Sequence, residues 1–285
     1  MSSAQPADTM TPFDDAYNQP DPRAYFRDLG PWGYQTPHHA QSVFRRLLTA
    51  LRTGSPEAPA PTVLDICCSY GINAALLNHH LTLSDLYTHY TSERATASST
   101  DELMAWDKEF YASHRRPDAV PVLGLDAAPR AIAYARAVGM LDDGFAENLE
   151  TGAPSPALLR AARDVRLITV TGGASFLSGH TFTPLLAAAE EPLWVAAFVL
   201  RTGGYGPIAG ALATHGLTTE KHTAQTYPQR RFTGEQEQRY AIAATLAAGE
   251  DPEGKESEGS FHTALYVSRP AAEAAGRPVG ALLQP

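Results

Sequence analysis

Five short apolar segments, each ending in a small or polar residue, most constrain how this chain can fold. They alternate with stretches of helical character, and we predict strands at 62–68, 120–125, 145–149, 165–170 and 193–200. Strands that alternate with helices are joined by crossover connections, which make the strands parallel and place helices on both faces of the sheet. The sequence therefore predicts an α/β fold with a mostly parallel sheet.

The sequence on either side of this core predicts additions to it. Segments 217–223 and 261–268 are expected to form an antiparallel edge. Near the amino end, a helix is predicted with Thr36 as its N-cap, Pro37 in the first helical position, and Gly54 just beyond its end. We predict a flexible tail at 1–16, an N-terminal helical cap at 17–60, an α/β domain at 61–270 and a second tail at 271–285. An insertion in the α/β domain, at 82–116, is expected to form a lid.

The net charge of the chain makes some classes of binding partner unfavourable. Lys and Arg number 22 against 31 Asp and Glu, which gives a formal net charge of −9. This charge disfavours nucleic acid and anionic membrane surfaces, and no apolar run approaches the roughly 18 residues that a membrane span requires. The two cysteines, Cys67 and Cys68, are neighbours and cannot join distant segments. We therefore expect a soluble protein of a reducing compartment, the cytoplasm.

Three predicted strand ends carry residues suited to a ligand, and parallel sheets bind ligands outside such ends. The turn after the first strand has small residues, which let a ligand approach the backbone. Asp126 ends the second strand, where its carboxylate either accepts hydrogen bonds from the two hydroxyls of a ribose or caps the following helix. At the third, Asn148 and Leu149 either meet the edge and face of an adenine or form a plain surface turn.

Taken in order, the motifs Leu-Asp-Ile-Cys-Cys-Ser-Tyr-Gly at 64–71, Leu-Asp-Ala at 125–127, Asn-Leu at 148–149 and Ile-Thr-Val-Thr-Gly-Gly at 168–173 resemble those of Rossmann-like S-adenosylmethionine-dependent methyltransferases. The resemblance covers roughly residues 60–203. It implies a seven-stranded Rossmann-like sheet, S-adenosylmethionine as cofactor, and methyl transfer to a small molecule of specialised metabolism. It assigns cofactor contacts to Asp65, Cys67, Ser69, Gly71, Asp126, Ala127, Asn148, Leu149 and Thr171.

The chain departs from that family in two places. Cys-Cys-Ser stands where the family has Gly-x-Gly, and the stretch between Gly71 and Asp126 is longer than usual. Sulfonium chemistry needs no obvious catalytic cluster, because positioning and desolvation supply much of the acceleration, and a base is needed only when the acceptor must lose a proton. The candidate bases lie in the cap and are Tyr17, Asp21, Tyr25 and Tyr34, whose rings or phenol oxygens can also contact a sulfonium. Ser175 and His180, after the fourth strand, are candidates to face the acceptor.

Alternatives remain open at the level of the sequence. The cap tyrosines either contact a sulfonium or only hold the cap on the core. S-adenosylmethionine is either a methyl donor or the substrate of an intramolecular cyclisation. The cyclisation would give azetidine-2-carboxylate and release 5′-methylthioadenosine. As a third alternative, the protein is an inactive nucleoside-binding module. Adjacent histidines at 38–39 and 79–80 lack metal-ligand spacing, so no metal is expected. A homodimer through the cap or the C-terminal edge is a further expectation.

Overall fold

The computed structural model describes residues 10–54 and 59–284, and in them it confirms the predicted alternation of strands and helices. The strands belong to one sheet of eight. Their bounds are Thr62–Ile66 (β1), Val122–Asp126 (β2), Asp143–Ala146 (β3), Val165–Val170 (β4), Trp194–Leu200 (β5), Leu217–Lys221 (β6), Tyr227–Arg231 (β7) and Ser260–Pro270 (β8). Each of the five strands predicted for the core is present.

The strand order is that of a Rossmann-like sheet. Seven strands follow the path β3-β2-β1-β4-β5-β8-β6, in which β1 to β5 are parallel and β8 is antiparallel to both of its neighbours on that path. The eighth strand, β7, pairs with β8 off the path and contains Pro228, a residue that argues against a strand in the sequence. The order reverses between β1 and β4, where sheets of this kind bind ligands.

Helices cover both faces of the sheet. They are Arg23–Leu29 (α1), Thr36–Gly54 (α2), Ile72–Asn78 (α3), Leu83–Tyr90 (α4), Glu93–Ala97 (α5), Thr100–His114 (α6), Pro129–Ala137 (α7), Pro156–Ala162 (α8), Gly179–Ala188 (α9), Gly206–Ala213 (α10), Glu235–Ala247 (α11), Ala271–Gly276 (α12) and Val279–Leu282 (α13). Alternate residues of β1 enter different apolar clusters: Val63 packs with α2, α3 and α7, and Leu64 packs with α8, α9 and α10. None of the described helices is long and apolar enough to cross a membrane.

Both predicted tails differ from the prediction where the structure describes them. In the first, the backbone N–H of Thr11 donates to Glu237 at 2.9 Å and Ala16 is buried, while residues 1–9 lie outside the described part. In the second, α12 and α13 bury Leu282, and Glu273 accepts the indole N–H of Trp194 at 2.9 Å. Buried residues such as Ala16 and Leu282 therefore attach these two terminal segments to the rest of the protein.

The insertion is helical, but the expectation that it forms a lid is wrong. Ser and Thr residues begin each of its three helices, α4, α5 and α6. The helices pack against the cap from outside: Tyr87 donates its hydroxyl to the carbonyl of Tyr34 at 3.0 Å, and the Arg23 guanidinium donates to the carbonyl of Ser98 at 2.8 Å. Residues 82–116 do not line the cavity beneath the cap. The insertion therefore supports the cap, and the cap covers the ligand side of the sheet.

Candidate functional site

A cavity of about 440 Å³ lies at the carboxyl ends of β1 to β4, where the strand order reverses. The cap forms one wall, and the turns after the four strands form the others. Its lining residues are Asp14, Tyr17, Tyr25, Tyr34, Pro37, Ile66, Cys67, Cys68, Ser69, Ile72, Asn73, Leu125, Asp126, Ala127, Glu147, Asn148, Leu149, Glu150, Thr171, Gly172, Gly173, Phe176, Leu177 and Thr181. The four motifs of the sequence therefore meet around one cavity.

The turn after β1 is left-handed at three positions, of which only one is a glycine. Cys67, Ser69 and Gly71 have φ angles of 55°, 49° and 76°, all in the left-handed region. Residues with a Cβ adopt this region at a cost, whereas glycine enters it freely. All three positions thus have a backbone conformation that glycine favours, although two of them carry a side chain.

Asp126 connects this turn to the helix that follows β2. Its carboxylate accepts the backbone N–H of Ser69 at 2.8 Å and that of Ala128 at 2.9 Å, and it lines the cavity. Burial raises the pKa of Asp126 above its ordinary value, against the lowering effect of these backbone donors. Each carboxylate oxygen keeps a further lone pair for a ligand hydroxyl. Asp126 thus both holds the start of α7, as one alternative expected, and faces the ligand cavity, as the other requires.

Asn73 was not predicted, and it connects the cavity to a buried acid. Its side-chain N–H₂ donates to the Asp65 carboxylate at 3.0 and 3.1 Å and to the Thr171 hydroxyl at 2.8 Å. Asp65 is fully buried behind Asn73 and does not line the cavity, and burial raises its pKa to about 7. The Oδ1 atom of Asn73 and the hydroxyl of Ser69 are buried and have no hydrogen-bond partner among the described residues. Both side chains line the cavity.

Gly71 also stands outside the cavity lining. A Cβ at this position would lie 3.4 Å from side-chain atoms of Ala135, Met140 and Leu141. A Cβ would therefore make only van der Waals contact, and glycine is favoured here by its φ of 76°, in the left-handed region that glycine adopts freely. The contacts of Gly71 are therefore with the protein.

The tyrosines of the cap form an aromatic wall. Tyr25 packs edge-on against Tyr17 at 5.8 Å and against Tyr34 at 6.2 Å between ring centroids, and all three line the cavity. Burial raises the pKa of Tyr17 and Tyr25 strongly and that of Tyr34 to about 12. Neutral phenols of this kind do not serve as general bases near neutral pH. What the wall offers a ligand is aromatic surface.

Other residues of the same sequence segment hold the cap in place. The Arg23 guanidinium donates two hydrogen bonds to the Asp21 carboxylate, at 2.8 and 2.7 Å, and Thr100 of the insertion donates to Asp21 at 2.7 Å. The Asn18 side chain accepts the backbone N–H of Arg130 at the start of α7, at 2.8 Å. Asp21 is thereby committed to an ion pair and does not line the cavity.

The end of β3 contributes a polar wall. Asn148 is exposed and its side chain accepts the backbone N–H of Glu150 at 3.0 Å, whereas Leu149 is buried. The Glu150 carboxylate accepts hydrogen bonds from the Ser178 and Thr181 hydroxyls, each at 2.6 Å. Burial alone would raise the pKa of Glu150, but these donors hold it below its ordinary value. The carboxylate is therefore ionised at neutral pH. No motif in the sequence indicated that Glu150 would line the cavity.

Ser175 and His180 are both exposed and outside the cavity lining, so the structure does not bring these two candidates to the site. The turn at 174–176 instead presents Phe176, which lines the cavity and is 79% exposed. At Gly173, a Cβ would lie 2.7 Å from the Cys67 sulfur. The turns after β1 and β4 thus touch at a position that only glycine fits. The described residues contain no cluster of side chains able to hold a metal ion.

Comparison with solved structures finds methyltransferases. The plantazolicin methyltransferase BpumL, in complex with a triazolic desmethylPZN analog and SAH, matches with 8% identity and a TM-score of 0.42, over 90% of this chain and 94% of that one. The CurJ carbon methyltransferase matches with 8% identity and a TM-score of 0.45, over 81% and 54%. A TehB-like SAM-dependent methyltransferase from Corynebacterium glutamicum matches with 16% identity and a TM-score of 0.35, over 81% and 97%. No protein-family model matches the chain, and no curated protein matches its sequence.

Proposed function

We propose that this protein binds S-adenosylmethionine at the reversal point of its sheet and transfers the methyl group to a small molecule of specialised metabolism. The observation that carries the proposal is the negative charge of the cavity lining. Four carboxylates line it, from Asp14, Asp126, Glu147 and Glu150, and the described lining contains no Lys, Arg or His. Such a lining, with an aromatic wall beside it, favours a ligand that carries a positive sulfonium.

The residues present fit this cofactor. We assign the Asp126 carboxylate to the ribose hydroxyls, and Asn148 with Leu149 to the adenine. The partnerless Ser69 hydroxyl and Asn73 Oδ1 face the part of the cavity next to the β1 turn, where they would hydrogen-bond the amino-acid end of the cofactor. A buried polar atom without a partner is costly, and a ligand that supplies the partner recovers that cost.

For methyl transfer, the main task of the protein is to position the acceptor against the methyl group of the cofactor. The bound cofactor supplies a methyl group already activated by positive sulfur. The cap and the β4 turn would exclude water and hold the acceptor in line with that group. The cap phenols stay neutral because burial raises the pKa of Tyr17, Tyr25 and Tyr34. An acceptor that must lose a proton therefore releases it to solvent or to one of the lining carboxylates.

Calorimetry with S-adenosylmethionine and S-adenosylhomocysteine tests the binding step directly. We expect both to bind, and we expect the Asp126→Asn variant to bind each of them more weakly. Absence of binding of either compound at about 1 mM, where the binding free energy is about −4 kcal/mol, would contradict the proposal.

A second candidate function is favoured by the size of the cavity. At about 440 Å³ it stands near the lower end of the range for small-molecule sites, roughly 300–1,000 Å³, which suits one ligand of the cofactor's size better than two. An intramolecular attack of the cofactor's amino nitrogen on its own γ-carbon would need no acceptor. It would break the carbon–sulfur bond, release 5′-methylthioadenosine and a proton, and leave azetidine-2-carboxylate.

Incubation of the protein with S-adenosylmethionine alone separates these candidates. Release of 5′-methylthioadenosine without an acceptor supports the cyclase. Formation of S-adenosylhomocysteine only when a small-molecule acceptor is added supports the methyltransferase. Tight binding with neither product, across a broad panel of acceptors, supports a binding module without catalysis.

A further inference from the structure

A second cavity, of about 170 Å³, lies away from the ligand side of the sheet. It is bounded by the last turns of α2, by the end of α3 and by the loop that leads into β2. Its lining residues are Arg45, Leu48, Thr49, Arg52, Leu77, Asn78, Arg116, Asp118 and Val120. None of them takes part in the site described above, so this cavity needs an explanation of its own.

The charges around the second cavity are unbalanced. Three guanidinium groups, from Arg45, Arg52 and Arg116, line it, and Asp118 is the single carboxylate among the described residues that do so. Asp118 pairs with Arg116, whose Nε and Nη2 atoms donate to the carboxylate at 3.0 and 3.3 Å. Arg52 reaches only the Asp118 carbonyl, at 3.3 Å. An excess of positive charge therefore remains at the cavity, in a chain whose net charge is −9.

Arg45 contributes a donor that the fold leaves unused. Its Nη2 atom donates to the carbonyl of Leu76 at 2.7 Å, near the end of α3, which fixes the guanidinium in place. Its Nε atom is buried and has no hydrogen-bond partner among the described residues. Burial, and then the charge of Arg116, lower the pKa of Arg45. Two cations that line the same cavity are stabilised by an anion bound there.

We propose that this cavity binds a phosphate group, either as the free ion or as the phosphate monoester of a small molecule. Guanidinium groups present planar, paired donors that match phosphate oxygens. Arg45 and Arg52 lie two turns apart on one face of α2, and Arg116 lies in the loop before β2, so a tetrahedral oxyanion can receive donors from two elements of the fold. The volume accommodates a phosphate group and excludes a whole nucleotide. This site is independent of the proposed S-adenosylmethionine site.

Calorimetry of the full chain in a phosphate-free buffer tests the proposal, with inorganic phosphate and glycerol 3-phosphate as separate probes. We expect binding at one site per chain, weakened about tenfold or more in Arg52→Gln and in Arg116→Gln. Arg239→Gln, which removes an exposed arginine paired with Glu235 on α11, should bind as the unmodified protein does. Stronger binding of glycerol 3-phosphate would identify the monoester as the ligand, and stronger binding of phosphate would identify the free ion.

Two outcomes would overturn the proposal. One is the absence of saturable binding of either probe at about 10 mM, a free energy weaker than about −3 kcal/mol. The other is binding that both cavity variants retain at full strength. Circular dichroism and thermal unfolding establish that each variant is folded. If Arg116→Gln proves unstable because Asp118 loses its partner, Arg52→Gln still decides the question, since Arg52 makes only a long contact to a backbone carbonyl.

Discussion

The carboxylate of Asp126 accepts the backbone N–H of Ser69 at 2.8 Å, so the acid that ends β2 also fixes the turn that follows β1. Replacing Asp126 with Asn removes the negative charge and one acceptor while keeping the size of the side chain. We expect the binding of S-adenosylmethionine to weaken by about 1–3 kcal/mol, since charge-assisted hydrogen bonds of the carboxylate are lost. Calorimetry measures the change.

Asp28→Asn is the matched control for this variant. Asp28 pairs with Arg27 on α1 and does not line the cavity, so its replacement should leave binding unchanged. An unaltered dissociation constant in Asp126→Asn would contradict the assignment of this carboxylate to the ribose.

Ser69 allows a test of the strained turn, because two substitutions separate backbone from side chain. Ser69→Ala keeps a Cβ in the left-handed conformation, whereas Ser69→Gly removes it. We expect Ser69→Gly to have a free energy of unfolding higher than that of Ser69→Ala by about 1–2 kcal/mol. Urea denaturation measures the difference, and equal stability of the two variants would argue against strain at φ 49°. Both variants lose the hydroxyl, so both should bind the cofactor more weakly.

The part of the fold that rests on local pattern could be predicted from the sequence. Strand β4 has the predicted bounds, and helix α2 exceeds its predicted bounds by one residue at each end, at Thr36 and at Gly54. The strand ends place Asp126 and Leu149 at the cavity. Asn73 could not be predicted, because its role depends on Asp65 and on Thr171, 98 residues away. Local pattern specifies the elements, and the partners of a buried polar group are decided only when distant elements meet.

Two further differences have similar physical causes. Residues 174–176 form a 3₁₀ turn in which Phe176, and not Ser175, lines the cavity. The sequence alone does not indicate which face of such a turn points inward. The left-handed conformation at Cys67 could not be predicted, because the sequence has no glycine at that position. Its conformation is imposed by the surroundings, including Gly173, whose missing side chain makes room for the Cys67 sulfur.

Gly124, in the middle of β2, should not tolerate a side chain. A Cβ there would lie 2.5 Å from Cδ1 of Leu141 and 2.8 Å from the sulfur of Cys68. We expect Gly124→Ala to lower the free energy of unfolding by about 1–3 kcal/mol, the range for an overpacked core. Gly210→Ala, on helix α10 with no atom within 4 Å of the added Cβ, should raise it by about 0.5–1 kcal/mol. Chemical denaturation of the pair checks both signs.

Asp65 makes the stability of the fold depend on pH. Burial raises its pKa from 3.8 to about 7 in the folded protein, so between these values the folded state binds more protons than the unfolded chain. The contribution of Asp65 to stability is therefore complete below about pH 4 and is lost as the pH rises through about 7. In Asp65→Asn this dependence disappears, and we expect its stability relative to the unmodified protein to rise by a few kcal/mol from about pH 4 to 8.

Urea denaturation across that pH range measures the effect. Asp164→Asn, which replaces an exposed acid before β4, is the matched control for the removal of a carboxylate at the surface. A pH-independent difference between Asp65→Asn and the unmodified protein would mean that Asp65 is ionised throughout, and that Asn73 and Thr169 fully compensate its burial.

Tyr34 distinguishes an aromatic contribution from an acid–base one. Its pKa, raised by burial to about 12, keeps the phenol neutral, so the ring is the part that would act on a sulfonium. We expect Tyr34→Phe to retain S-adenosylmethionine binding within about 0.5 kcal/mol, and Tyr34→Leu to lose about 0.5–2 kcal/mol. The loss should be smaller for S-adenosylhomocysteine, which lacks the positive charge on sulfur. Equal losses for both ligands would show that the ring contributes packing alone, and a Tyr34→Phe variant that binds without turnover would assign a proton-transfer role to the hydroxyl.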